Sequence, residues 1–404
     1  MFEILFRRQR DFLRHRRGPL AVERERYIRH CADQGATDGE QRKRARCLLW
    51  LARRMAPSDY DGVNAARLRR IVYRRPSPGP VMALVLLEFG RPWLKFLGWW
   101  REEKDPVPFA QHVQRYVTWM HDERGLSPVT ISVRRRRIEN FLRWCGKMHR
   151  DFSSLHPEDL DAYFAAFADR WSRWSAATMA DGLRAFLRYA ASQGSCSPRL
   201  PEAIVSPRVY RLESLPYALS WSDIRRLLAS ASSDSPQDVR DRAILMLLAI
   251  YGLRRGEVAA LRSDQIDWRR RCICIHRLKR RQPQVYPLQR SVAEALSCYI
   301  DTVRPPVPYP EVFIRLQAPR QPITAGAVYH IVSERLRALG IKAAHLGPHS
   351  VRHACAAKLL ADNFTLKEIG DHLGHRSTAA TMVYTKVDLA ALREVGSFDL
   401  GDLP

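Results

Sequence analysis

The reading of this chain turns on residues 347–384, GPHSVRHACAAKLLADNFTLKEIGDHLGHRSTAATMVY. The stretch holds a His-x-x-Arg-His cluster (His349, Arg352, His353), a Leu-Gly-His turn (His375) and a tyrosine nine residues past that turn (Tyr384). Histidines, an arginine and a phenol at predicted helix ends are groups that can stabilise and attack a phosphate. What the rest of the chain supplies decides whether they act together.

Composition points the same way. At 404 residues the chain is long enough for two or three domains. Lys and Arg total 67 against 42 Asp and Glu, a net charge of +25, and so strong a field favours a polyanion, nucleic acid being the commonest. A coding bias toward arginine explains Arg in place of Lys but not the excess of base over acid. The eight cysteines form no CxxC pair, and Cys272 and Cys274 alternate along a predicted strand, which suits neither a zinc knuckle nor a redox pair. Reduced thiols of a cytosolic protein are expected. Arginines interrupt the apolar residues of MFEILFRRQRDFLRHRR, so no secretory signal is predicted. The longest apolar runs, Val81–Leu87 and Ala243–Ile250, are too short to span a bilayer.

Outward from the C-terminal stretch, the chain divides by pattern. Residues 1–104 read as a basic helical extension, with an arginine run from Arg7 to Arg17 and an aromatic cluster (Trp93, Phe96, Trp99, Trp100) that suits packing better than base stacking. Its role stays open between accessory DNA and neighbouring copies of the chain. Residues 105–195 read as two helical hairpins of related design, with an apolar stripe opposite arginines. Arg134, Arg135, Arg136, Arg137 and Arg143 on the first, and Arg184 and Arg188 on the second, suit phosphate contacts that fix register on a duplex. Residues 196–216 read as a linker rich in Pro and Ser. Beyond it come an apolar helix from Arg240 to Ile250 that ends at Tyr251-Gly252, and three short strands near 266–268, 272–277 and 284–288. Helices follow at about 292–303 and 325–339, and a short terminal helix is expected at 388–395.

Arg254 falls just past the apolar helix, Lys279 at a hairpin tip, His349 and Arg352 at the start of a later helix, and His375 and Tyr384 last. In this order and spacing the set resembles the tyrosine recombinase (phage integrase) family. The resemblance rests on Gly-Leu-Arg-x-x-Glu (252–257), a hairpin lysine followed by Tyr-Pro-Leu (286–288), His-x-x-Arg-His (349–353), Leu-Gly-His (373–375) and the tyrosine nine residues on. It departs from the family pattern at the hairpin, where Leu278 and Arg280 replace the usual glycines around the lysine. The catalytic likeness spans about 215–390, and 105–195 looks like the family's core DNA-binding domain.

The resemblance implies a mostly α chain with a small antiparallel β-sheet in the catalytic domain (α+β), a helical SAM-like core-binding domain preceding an integrase-type catalytic domain at 217–404. It implies a site-specific DNA recombinase of a mobile genetic element, working through a covalent 3′-phosphotyrosine intermediate with no metal and no other cofactor. Implied partners are double-stranded DNA, a homotetramer on two recombination sites linked through a Holliday junction, and accessory recombination proteins. No membrane is involved, and the expected location is the bacterial cytoplasm, at the nucleoid. The tail 388–404 is expected to dock on a neighbour. Two rival readings are a type IB topoisomerase and a DNA-binding protein that keeps the fold without the chemistry.

Each implied role has a physical reason. Arg254 and Arg352 offer planar forks for the non-bridging phosphate oxygens. Nine lysines stand among the 67 basic residues, leaving 67 − 9 = 58 arginines, and Lys279 is the one placed to protonate the leaving 5′-oxygen, which arginine cannot do. Tyr384 is the nucleophile, His349 takes or relays its proton, and His375 bonds a phosphate oxygen. Glu257 orients these groups and His353 supports them, while Arg277, Arg280 and Arg281 hold the hairpin against the DNA backbone. His349 and His353 at i, i+4 lack the intervening glutamate of a zinc HExxH site.

Overall fold

The computed structural model describes residues 1–102, 107–209, 219–277, 283–343, 345–375 and 381. The chain divides into two compact units, one of residues 101–213 and one formed by 1–100 together with 214–404.

The 101–213 unit is built from the helices Ala110–Asp122, Pro128–Lys147, Pro157–Phe167 and Arg173–Ser192. Ser127 and Ser172 start two of them by accepting the backbone N–H of Thr130 (3.3 Å) and Ser175 (3.2 Å), which would otherwise lack a partner. Their apolar stripes meet in a core that includes Tyr116, Phe141, Tyr163 and Phe186. Cys196, Leu200 and Ile204 are buried in the same core. The stretch expected as a linker from residue 196 therefore begins as packed chain, because its apolar residues cover the end of the bundle.

In the second unit, the helices Ala21–Asp33, Asp38–Ala52, Ala65–Tyr73 and Pro80–Phe96 surround Ile28, Leu48, Val72 and Trp93. Trp93 is fully buried, as its packing role requires. Ala318, from far along the chain, joins this cluster, and Arg44 donates to the Ala318 carbonyl at 2.9 Å. The backbone N–H of Arg320 donates to the Gln34 carbonyl at 3.2 Å. Residues 1–100 thus share packing with the segment around Ala318 and Arg320.

The remainder of that unit is organised by the helix Pro236–Ile250. Ala243, Ile244, Leu245, Leu247 and Leu248 are all fully buried, so this helix is enclosed rather than amphipathic. Each such Leu or Ile contributes about 1.5–3 kcal/mol on burial. A three-stranded antiparallel sheet flanks it: β1 (Ile266–Asp267), β2 (Cys272–His276) and β3 (Pro283–Pro287), in that spatial order. The register sets Ile273 opposite Tyr286 and Ile275 opposite Gln284. Tyr251 locks the end of the central helix to this sheet, its hydroxyl donating to the Pro287 carbonyl (2.9 Å) and accepting the Gln289 N–H (2.9 Å). The helices Arg290–Thr302, Ala325–Ala338, Pro348–Ala361 and Leu366–Leu373 complete the unit. The chain is mostly helical with one small antiparallel sheet among the described residues, as the sequence predicts. No described helix is long and apolar enough to cross a membrane. The terminal helix expected at 388–395 lies outside the described residues.

Candidate active site

The site forms around the turn that ends the helix Leu366–Leu373. Thr365 and Glu368 cap its start reciprocally, and Gly374 ends it in the left-handed region at φ +64°. The N–H of His375 returns to the Gly370 carbonyl at 2.9 Å, closing a Schellman turn. A Cβ on Gly374 would lie 2.6 Å from Nε of Arg277, so glycine is required by space as well as by φ.

Carbonyls at a helix C-terminus lack intrahelical partners. Here three arginines meet three consecutive ones. Arg277 Nη2 donates to His372 O at 2.9 Å, Arg352 Nη2 to Leu373 O at 2.6 Å, and Arg254 Nη2 to Gly374 O at 3.3 Å. Positive charge at this end of a helix also complements its dipole. The Leu-Gly-His turn is thus the point where the separate arginines converge.

Arg254 stands before the short helix Arg255–Ala259. Its backbone N–H donates to Glu257 Oε2 (2.8 Å) and its Nη1 to Oε1 (2.8 Å). Glu257 is buried and accepts a third bond, from Arg277 Nη1 at 2.6 Å. A buried carboxylate needs such partners, and two guanidinia supply them. Arg352 is also buried and donates to the Gly252 carbonyl besides that of Leu373.

His349 is exposed near the start of the helix Pro348–Ala361, its ring 5.1 Å from that of His353. Burial, then the neighbouring His349 and Arg352, push the His353 pKa down to about 4. Burial, then Arg352 and Arg254, likewise lower that of His375 to about 4. His375 is therefore a neutral hydrogen-bonding group at pH 7, and its Nδ1 lies 2.9 Å from Thr381 Oγ1.

The structure brings together Arg254, Glu257, Arg352 and His375, with His353 and His349 on the adjoining helix. Lys279, Arg280, Arg281 and Tyr384 lie outside the described residues. Arg277, expected on the DNA backbone, is instead only 2% exposed, because it continues the inward face of Ile273 and Ile275. Some arginines of the helical unit also turn inward. Arg184 donates to Ile204 O (2.8 Å) and Ser206 Oγ (2.9 Å), and Arg137 to Thr178 O (3.4 Å). Arg135 and Arg143 pair with Glu139, Arg134 is half-buried, and Arg136 and Arg188 are exposed. The sequence reading passed over Gln284 and His372 and met Tyr286 as part of the Tyr-Pro-Leu motif, and all three bind Arg277. Tyr286 carried a usable signal, since it alternates with Gln284 and Leu288 on one strand face. Among the described residues no three His, Cys, Asp or Glu side chains cluster as a metal site requires.

Residues 218–390 match the phage integrase family, and residues 113–194 match the SAM-like N-terminal domain of phage integrases. An integrase/recombinase of Sinorhizobium fredii, y4rA, is 33% identical over 348 residues, 85% of each chain. Tyrosine recombinase XerD of Listeria monocytogenes is 27% identical over 289 residues, covering 70% of this chain and 96% of that one. Among solved structures, the XerH site-specific recombinase bound to its difH substrate shares the fold at a TM-score of 0.55 and 16% identity, over 87% of this chain and 95% of that one. A lambda integrase dimer bound to a core site does so at 0.53 and 18%, over 68% and 94%. This chain belongs to the phage integrase family, the tyrosine recombinases. It is a site-specific DNA recombinase, an enzyme that breaks and rejoins strands of double-stranded DNA.

Proposed function

We propose that the chain's own catalytic set is Tyr384, Arg254, Arg352, His375, Lys279 and His349, with Glu257 and His353 in support. The Tyr384 oxygen attacks the scissile phosphorus and forms a 3′-phosphotyrosyl ester while the bond to the 5′-oxygen breaks. His349 takes the phenolic proton and Lys279 gives one to the departing oxygen. Arg254 and Arg352 stabilise the charge on the non-bridging oxygens, and neutral His375 donates a hydrogen bond to one of them. A 5′-hydroxyl from the partner strand reverses each step, so the ester conserves the bond for rejoining.

The observation that carries this reading is the convergence of Arg254 and Arg352, 98 positions apart (352 − 254), on adjacent carbonyls of the turn that bears His375. Two always-charged forks held by a buried frame make an anion site whose geometry is set before DNA arrives. The exposed Arg136 and Arg188, with Arg134, Arg135 and Arg143, contact DNA phosphates in this account, as do Arg280 and Arg281 of the hairpin. Four copies assemble on two sites of a mobile element, passing through a Holliday junction, with accessory proteins choosing the direction.

A supercoiled plasmid carrying two copies of the ends of the enclosing element tests the reaction. Recombination should yield the deleted or inverted product. Relaxation with no joined product at any enzyme concentration would instead assign a topoisomerase.

A further inference from the structure

We infer that Arg277 is a positioning residue for strand cleavage, which ties the hairpin carrying Lys279 to the Arg254–Glu257 pair and to the His375 turn. The inference rests on the proposed roles of Lys279 and Arg254.

Arg277 is placed to join three parts of the site. It follows directly on β2 and stands two positions before Lys279 in the sequence. Its Nε donates to Gln284 Oε1 at 2.9 Å and its Nη2 to the Tyr286 hydroxyl, which fixes it to the returning strand β3. Its Nη1 donates to Glu257 Oε2 at 2.6 Å, on the carboxylate that also holds Arg254. Its Nη2 further reaches His372 O at 2.9 Å, and the Tyr286 hydroxyl donates to the same carbonyl.

Nε, Nη1 and Nη2 of Arg277 are all engaged by these internal partners, Nη2 twice, so the guanidinium is spent on internal geometry. Burial of so polar a group at the foot of a hairpin is expensive, and an apolar residue there would continue the Ile273–Ile275 face at less cost. What an apolar residue could not do is give each of the three elements a hydrogen bond of fixed direction. Arginine's planar fork can serve all of these acceptors at once, whereas the three donors of an ammonium on a flexible stem cannot. The consequence falls on the acid. Lys279 must sit beside the leaving oxygen while Arg254 holds the same phosphate, and Arg277 is the described side chain bonded both to the hairpin and to the partner of Arg254.

The test separates protonation from the rest of the reaction. Purified full-length Arg277→Lys is compared with wild type on two suicide substrates, one ordinary and one with sulfur replacing the 5′-bridging oxygen at the cleavage point. A thiolate leaves without a proton, so only the ordinary substrate needs the acid. On the ordinary substrate, Arg277→Lys should cleave roughly a hundredfold more slowly, the lower range of general-acid effects. On the sulfur substrate it should cleave within a few-fold of wild type. DNA affinity and its salt dependence should be unchanged, because no phosphate contact is lost. Tyr286→Phe, a milder removal of one Arg277 partner, should show a smaller loss with the same rescue, and it carries the test if Arg277→Lys does not fold. Lys279→Ala on both substrates is the reference. If it is rescued and the Arg277 and Tyr286 variants are not, the link between Arg277 and the acid is wrong. If Lys279→Ala itself is not rescued, the acid assignment fails and the inference falls with it. A loss of DNA affinity in Arg277→Lys as large as its loss of cleavage on the ordinary substrate would make Arg277 a DNA contact and overturn the inference directly.

Discussion

Arg352 and Gly252, a hundred residues apart in the chain, are joined by a hydrogen bond from the guanidinium to the glycine carbonyl. The two arginine motifs of the sequence are therefore one structure. Gly252 sits at φ +56°, and a Cβ there would lie 2.4 Å from Leu373 Cδ2. Gly252→Ala should destabilise the fold by about 2–4 kcal/mol, combining left-handed strain with overpacking. A denaturant midpoint measures the loss. A change of less than 0.5 kcal/mol would show that the turn relaxes freely.

Arg254 should matter to chemistry more than to binding. Its Nη1 pairs with Glu257, which keeps Arg277 when Arg254 is removed. Arg254→Ala should lower the single-turnover cleavage rate about 100–1000-fold, as loss of one oxyanion donor does. Affinity for the cognate duplex should change less than threefold, and Arg254→Lys should recover only part of the rate. Equal losses in binding and cleavage would recast Arg254 as a general DNA contact.

The scaffold behind the site offers a contrast. Arg335 pairs with Asp238 (2.6 Å) and with buried Asp241 (2.8 Å), holding the helix Ala325–Ala338 to the central helix. Arg335→Met leaves Asp241 to Arg240 and Asp238 to the Ser233 hydroxyl, so it should cost about 1.5–3 kcal/mol of stability, the worth of the lost charge-assisted bonds. The cleavage rate per folded molecule should stay unchanged, which combined melting and active-site titration can establish.

Acidification should weaken the fold through two half-buried histidines. His353 and His375 have pKa values near 4 in the folded chain, against an ordinary value of 6.5. Between pH 6.5 and 4 the unfolded chain binds more protons at these positions, so stability falls as pH falls through that window. It is fully present above pH 6.5. Chemical denaturation at pH 7.0 and 5.0 should show the drop, and His375→Asn should reduce the difference. When DNA binds, a phosphate beside His375 should raise its pKa, a change NMR titration of the imidazole can follow.

The sequence made the site more legible than its support. Glycine before arginine, the Leu-Gly-His turn and the buried helix from 240 to 250 each have a local signature, and the structure places Arg254, Arg352 and His375 together. Arg277 was misread because it opens the basic run RLKRR, which looks like surface. The run hides a change of face, since period-two alternation continues from Ile273 and Ile275 into Arg277, and only then does the hairpin begin. Arg184 was misread for a related reason: a helical stripe predicts a direction, but not that Ile204 and Ser206 would return to occupy it. The packing of Ala318 with residues 1–100 had no local signal at all, because a single alanine in a loop carries none.

The central claim is that Tyr384 forms the covalent bond to DNA. A nicked suicide substrate carrying the cognate site measures it most directly, because the short 5′ fragment diffuses away and traps the ester. Wild type should accumulate a protein–DNA adduct that maps by mass spectrometry to the peptide containing Tyr384. Tyr384→Phe should bind the same duplex with unchanged affinity and give no adduct. An adduct that persists in Tyr384→Phe, or maps to another residue, would contradict the account.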